Sequence, residues 1–328
     1  MKTLVSGFVH TPGLHCGSTA MADLLNFKGI AVSEPMAFGL GSGADFYYFD
    51  TPGMKPSAWL SGRSGSFEDD LCATLGLAYR EFFDKSSDAA WERARARIDA
   101  GEPLSVQADV RYLDYYATDT HFNGHRLILA GYDDDGVYVA DTHFEGLQRL
   151  PKESFAKARG SRVPPSFGGP NAWWEVETPA APLAITREHV ARAVHHAAAR
   201  FFEGPTGFNG EPGFSLFIAG LPNWTALPDA AWCARFAYQC IEKRGTGGGC
   251  FRTLYARFLD EAAMNFNDRD FQRLAALAHE ASAKWTLLAR AFKSASEETS
   301  PDFAALVPHA RAMFDAERKL ADLSLTTR

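Results

Sequence analysis

The stretch that decides the fold runs His10-Thr11-Pro12-Gly13-Leu14-His15-Cys16-Gly17-Ser18-Thr19-Ala20. Pro12 and Gly13 mark a loop, and from Cys16 onward Ala20, Met21, Leu24, Leu25 and Phe27 recur at helical spacing until Gly29. The spacing predicts a helix over 16–29 that begins with a thiol. At a helix start the unpaired amides and the positive end of the macrodipole favour a thiolate and can hold an oxyanion. Gly17 permits close approach of the backbone to a substrate carbonyl, and Ser18 and Thr19 keep the first turn polar. A cysteine in such a place is more often structural than catalytic, so the reading depends on finding its partners.

The base comes from Asn123-Gly124-His125-Arg126-Leu127-Ile128-Leu129-Ala130-Gly131-Tyr132, followed by Asp133-Asp134-Asp135-Gly136 and the apolar run Val137–Ala140. Two apolar runs around an Asp-Gly turn predict a β-hairpin. His125 opens its first strand and Asp141 closes its second, so the two share one end of neighbouring strands about 5 Å apart. A carboxylate there can fix the tautomer of the ring and stabilise an imidazolium paired with a thiolate. Taken alone, His125 reads as the hydrogen-bonded end of a strand and Asp141 as a turn cap. Together with Cys16 they read as a nucleophile, a base and the group that orients the base.

Elsewhere the runs Met36–Leu40 and Phe46–Phe49, set around Gly39, Gly41 and Gly43, predict two strands joined by a tight turn. Helices are predicted at about 67–84 and 88–100, the second capped by Asp88 and stopped by Gly101. Leu104–Val110 alternates as a strand, and Trp173–Val176 reads as the last strand before a Pro-rich stretch. Beyond 180 the chain is Ala-rich, with helical periodicity over about 186–203, 228–243, 250–264, 267–295 and 301–323. The expected organisation is an α+β domain at 1–179, with its helix packed on an antiparallel sheet, and a helical domain at 180–328.

The 328 residues suffice for two cores, and 46% hydrophobic with 22% charged residues is the mixture of a folded globular chain. A net charge of -7 argues against general nucleic-acid binding, which needs a basic surface. No run approaches the roughly 20 apolar residues of a membrane span, and the N-terminal apolar stretch is too short for a signal segment. The chain therefore reads as soluble and cytoplasmic. Five scattered cysteines with no Cys-x-x-Cys pair read as reduced thiols, with Cys233 and Cys240 on one core-facing side of a helix.

His15-Cys16-Gly17-Ser18-Thr19, Phe38-Gly39-Leu40-Gly41-Ser42-Gly43 and Gly124-His125 resemble, in order, the motifs of the butirosin biosynthesis protein H family. Its N-terminal domain is similar to the papain-like fold of C39-type peptidases, and the likeness covers about 10–178. Arg244–Gly249 and the following Phe251–Leu259 resemble the uncharacterised helical domain often joined to it. The resemblance implies a cysteine-dependent acyltransferase that moves an acyl group from an acyl carrier protein, or another thioester donor, to a small amine. Cys16, His125 and Asp141 carry over by position. Papain-like enzymes usually place a Gln several residues before the nucleophile as an oxyanion donor, and His10 stands there in this chain.

The same trio serves a peptidase or amidase if water replaces the amine, and a degenerate module of this fold would only bind. No cofactor is called for. A metal site built from His121, His125, His143 and Asp141 is the minor alternative, because His121 and His125 are four apart but lie in a loop leading into a strand. Neither Gly39–Gly43 nor Gly245–Gly249 completes a nucleotide-binding fingerprint. The second domain is expected to shape an acceptor pocket through Gly248, Arg252 and Tyr255 near a helix start, or else to pack behind the first domain or form a homodimer.

Overall fold

A computed structural model describes residues 2–164 and 169–327. The chain separates into two compact units, Met1–Glu34 with Gly76–Ile185 and Pro35–Leu75 with Thr186–Arg328. The passage at Ile185 lies near the boundary expected at 179. The segment Pro35–Leu75 departs from the expected 1–179 domain, because its residues pack with the C-terminal helices.

The first unit is an antiparallel sheet. Its strands run in the order Tyr79–Phe83, Ala172–Val176, Leu104–Ala108, His125–Tyr132, Gly136–Ala140 and Gln148–Pro151, and Thr3–Leu4 adds to Gly131 and Tyr132. The expected hairpin forms with Leu129 opposite Val139 and Ile128 opposite Ala140. Leu127, Leu129, Val137, Val139, Leu104 and Val106 fill the core with Ile98 and Phe155. Ile128 and Ala130 are buried as well, because the helix Cys16–Phe27 packs on this strand. Burial on both faces explains why the strand reads as a continuous apolar run.

Three expectations change in detail. The helix predicted at 67–84 stops at Leu75, where Gly76 takes φ +70°, and Tyr79–Phe83 becomes the edge strand. The next helix, Ser87–Asp99, is capped by Ser86, whose hydroxyl accepts the Ala89 amide, rather than by Asp88. A short helix over Lys152–Gly160 follows directly on the last hairpin strand and carries no sequence signal of its own. Residues 165–168 lie outside the described residues.

In the second unit the strands Ala44–Asp50 and Ala58–Arg63 form a ribbon, joined by the helices Arg187–Glu203, Gly210–Gly220, Ala230–Glu242, Arg252–Phe266, Arg269–Ala295 and Val307–Thr326. Met36–Leu40, expected as a strand, lies in the helix Glu34–Leu40. Gly39 there serves packing instead of a turn, because the Phe258 ring occupies the space that a side chain would need. The helix Gly210–Gly220 opens on Gly-Glu-Pro-Gly, a sequence that reads as a turn, yet proline is accommodated in a first helical turn. Phe46 stacks on Phe214 at 4.0 Å, and Tyr48, Trp224, Trp285 and Cys233 complete the core around them. Among the described residues no helix is long and apolar enough to cross a membrane.

Candidate active site

Cys16 is the first residue of its helix, and His15 is the N-cap, its Nδ1 accepting the Ser18 amide at 3.2 Å. The thiol is partly exposed, whereas Cys72, Cys233 and Cys250 are buried. The loop before it is held on two sides. Gly13 donates its amide to the Thr142 carbonyl at 2.6 Å, and His143 Nδ1 donates to the Gly13 carbonyl at 3.2 Å. These bonds tie the loop before Cys16 to the residues immediately after Asp141.

On the other side stands Glu34, a residue that sequence reasoning missed. Its carboxylate accepts the Leu14 amide at 2.9 and 3.0 Å, the His15 amide at 2.8 Å and the Ser18 and Thr19 hydroxyls at 3.0 Å each. One anion thus satisfies four donors of the loop and first turn, groups that a helix start otherwise leaves to water. The only sequence signal was an acidic residue before Pro35.

His125 and Asp141 lie on the sheet face shared with Leu127, Leu129 and Val139, as the alternation of the hairpin requires. His125 Nε2 is 2.7 Å from Asp141 Oδ1, and the two side chains are 7% and 0% exposed. His125 also hydrogen-bonds Cys16. The structure therefore brings the three predicted residues together, with the ring between thiol and carboxylate. Burial alone would lower the His125 pKa. The charge and hydrogen bond of Asp141, with the contact to Cys16, outweigh it and raise the pKa to about 10. Burial pushes the Asp141 carboxyl up, but His125, Tyr115 and Tyr116 together hold it below the ordinary carboxylate value. The surroundings thus favour a protonated His125 paired with the Asp141 carboxylate, beside the Cys16 sulfur at a helix start.

Two more residues escaped the sequence reading. Tyr115 donates to Asp141 Oδ2 at 2.6 Å and Tyr116 to Asp141 Oδ1 at 3.1 Å. They lie in a single turn of 3-10 helix, Asp114–Tyr116, in a segment without regular periodicity.

His10 is corrected as the oxyanion donor. Its Nε2 donates to the Phe144 carbonyl at 3.1 Å and its Nδ1 sits 2.6 Å from Asp23 Oδ2, both side chains being nearly inaccessible. With both ring nitrogens engaged, the side chain has no donor left for a substrate. His10 instead closes a third bridge between the loop before Cys16 and the segment after Asp141. The histidines of the metal alternative go to separate partners: His121 to Asp109 at 2.8 Å, His143 to Gly13 and His125 to Asp141.

Arg252 and Tyr255 are corrected as substrate-binding residues. Arg252 is 2% exposed, with Nε and Nη2 on Glu317 at 2.6 and 3.1 Å and Nη1 on the carbonyls of Asp45, Gly62 and Cys250. A buried guanidinium with all three nitrogens bonded within its own unit is held as a structural group and not presented to a ligand. Tyr255 is buried as well, its ring against Phe258. Gly248 serves the chain path: Gly245, Gly247, Gly248 and Gly249 all take positive φ, from 57° to 91°, which only glycine adopts freely.

Comparison with known proteins divides the chain differently, between residues 142 and 153. Residues 15–142, which contain Cys16, His125 and Asp141, match the family described as Butirosin biosynthesis protein H, N-terminal. Residues 153–323 match the Domain of unknown function (DUF4872). No curated protein matches the chain. Among solved structures, a C39-like peptidase from Bacillus anthracis is similar at 18% identity and TM-score 0.35, over 48% of this chain and 92% of that one. The chain belongs to the DUF4872 family and carries, ahead of that domain, a butirosin biosynthesis protein H N-terminal domain.

Proposed function

We propose that this chain, with its butirosin biosynthesis protein H N-terminal domain, is a cysteine-dependent acyltransferase, which loads an acyl group onto Cys16 from a carrier-protein or other acyl thioester and passes it to an amine. The observation that carries the reading is the buried His125, hydrogen-bonded to Cys16 on one side and to Asp141 on the other. The family description points to biosynthetic chemistry, and that supports transfer over hydrolysis.

In the first half-reaction the Cys16 sulfur, with its proton on His125, attacks the thioester carbonyl. The Cys16 amide is the nearest helix-start donor for the resulting oxyanion. Collapse expels the donor thiolate, which takes the proton from His125, and leaves an acyl group on Cys16. In the second half-reaction the amine attacks that acyl carbon and gives its proton to His125. Collapse then breaks the carbon–sulfur bond, forms the amide and restores the Cys16–His125 pair. Asp141 moves no proton; it keeps the imidazole oriented and its cation balanced.

The test is mass spectrometry of the intact protein after incubation with acyl thioesters. A mass gain of one acyl group, located on Cys16 and discharged faster by added amines than by water, is expected. Discharge by water alone would make the protein a hydrolase. Absence of any adduct, with Cys16 no more reactive toward iodoacetamide than a free thiol, would leave a binding module.

A further inference from the structure

Asp141 is a carboxylate without exposed surface, and it has more donors than a base-orienting group needs. Oδ1 takes His125 Nε2 at 2.7 Å and the Tyr116 hydroxyl at 3.1 Å, while Oδ2 takes the Tyr115 hydroxyl at 2.6 Å. The Tyr116 hydroxyl also lies 3.4 Å from His125 Nε2, and its ring stands perpendicular to the imidazole at 5.7 Å. Both tyrosines meet Phe144 edge-on, at 5.0 and 5.2 Å, so their rings are fixed by packing.

The segment that carries them is anchored independently of the site. Ser154 Oγ donates to Asp114 Oδ2 at 2.9 Å, and Ala117 closes the turn at φ 48°. Upstream, the buried Asp109 accepts the Arg111 and Phe122 amides at 3.2 and 3.0 Å and the Ser161 hydroxyl at 2.7 Å. The phenols therefore reach Asp141 from a frame separate from the hairpin that holds His125 and Asp141.

We propose that Tyr115 and Tyr116 are positioning residues that act through Asp141, fixing the rotation of its carboxylate so that Oδ1 stays on the His125 ring. This rests on the assignment of Cys16, His125 and Asp141 made above. A carboxylate pinned at one oxygen only is free to turn about its Cβ–Cγ bond. In a site closed to water, an oxygen left without a donor either swings to another donor or takes up a proton. Either event removes the partner of the imidazolium. The other titratable groups that act on this cluster are His10, whose interaction with Asp141 is electrostatic, and Cys16. Neither replaces a phenol on Oδ2.

The experiment measures iodoacetamide labelling of Cys16 against pH in the full-length chain, read by peptide mass spectrometry so that the other cysteines do not contribute. Tyr115→Phe and Tyr116→Phe keep the rings and remove the hydroxyls. Tyr115→Phe is expected to slow labelling at neutral pH by roughly tenfold, the scale of one hydrogen bond to a charged group. It should also move the alkaline limb of the profile down toward that of Asp141→Asn. In the Asp141→Asn background the same change should matter less than about twofold, because its target is gone. An unchanged profile, an upward shift of the alkaline limb, or equal slowing in both backgrounds overturns the proposal. Should Tyr115→Phe not fold, Tyr116→Phe carries the same cycle. Failure of the underlying assignment looks different: wild-type Cys16 would label as an ordinary thiol and His125→Ala would not alter it.

Discussion

Glu34 accepts the backbone amide of His15 at 2.8 Å, and His15 is the residue that caps the helix on which Cys16 stands. An acidic side chain thereby sets the path of the chain into Cys16, from a position that contributes no atom to the chemistry. Replacement by Ala removes the acceptor of the Leu14 and His15 amides and of the Ser18 and Thr19 hydroxyls at once. Glu34→Ala is expected to destabilise the fold by about 1–3 kcal/mol, the cost of a buried donor left unmet. Urea denaturation would show it, and the acyl-transfer rate should fall with little change in KM because the reacting geometry loosens.

Cys16→Ala should abolish formation of the acyl adduct while leaving the thermal transition near that of the wild type, since the thiol lies at a partly exposed helix start and fills little core. Turnover surviving in this variant would dismiss Cys16 as the nucleophile.

Asp141→Asn should slow catalysis less than His125→Ala does, because the carboxylate orients and balances the ring but transfers no proton. Steady-state rates of the two variants, compared at one pH, decide this. Wild-type activity in Asp141→Asn would take Asp141 out of the site.

The pH dependence has a definite sign. His125 has a folded-state pKa raised from 6.5 to about 10. Its contribution to stability is therefore complete below the unfolded value and is lost as pH climbs through that interval. The stability difference between wild type and His125→Gln, measured by urea denaturation from pH 6 upward, should shrink steadily as the buffer becomes alkaline. A difference that grows with pH would contradict the pairing with Asp141.

Arg252→Ala should act on folding and not on substrate affinity. It strands Glu317, a buried carboxylate that also receives the Trp285 indole at 2.6 Å, and frees three carbonyls. Loss of about 3–5 kcal/mol is expected from breaking such a pair. A variant with wild-type stability and an altered KM would restore the pocket role that its place near a helix start suggested.

The residues legible in the sequence were those whose roles follow from local pattern. Cys16 stands where a loop meets a periodic run, and His125 and Asp141 bracket a hairpin whose turn is written as Asp-Gly. Glu34, Tyr115 and Tyr116 were not legible, because their roles depend on contacts between segments far apart in the chain. The glycines of the second unit misled for one reason: sequence shows that a side chain is absent but not why. Gly39 is small for the sake of Phe258, whereas Gly245–Gly249 follows a left-handed path. Arg252 misled because proximity to a helix start says nothing about which way the side chain faces.

The three bridges between residues 10–13 and 142–144 also bear on synthesis at the ribosome. Cys16 is translated before the carbonyls that steady its loop and the carboxylate that pairs with His125, which emerge more than a hundred residues later. Until then the nascent chain carries a thiol with no assembled base.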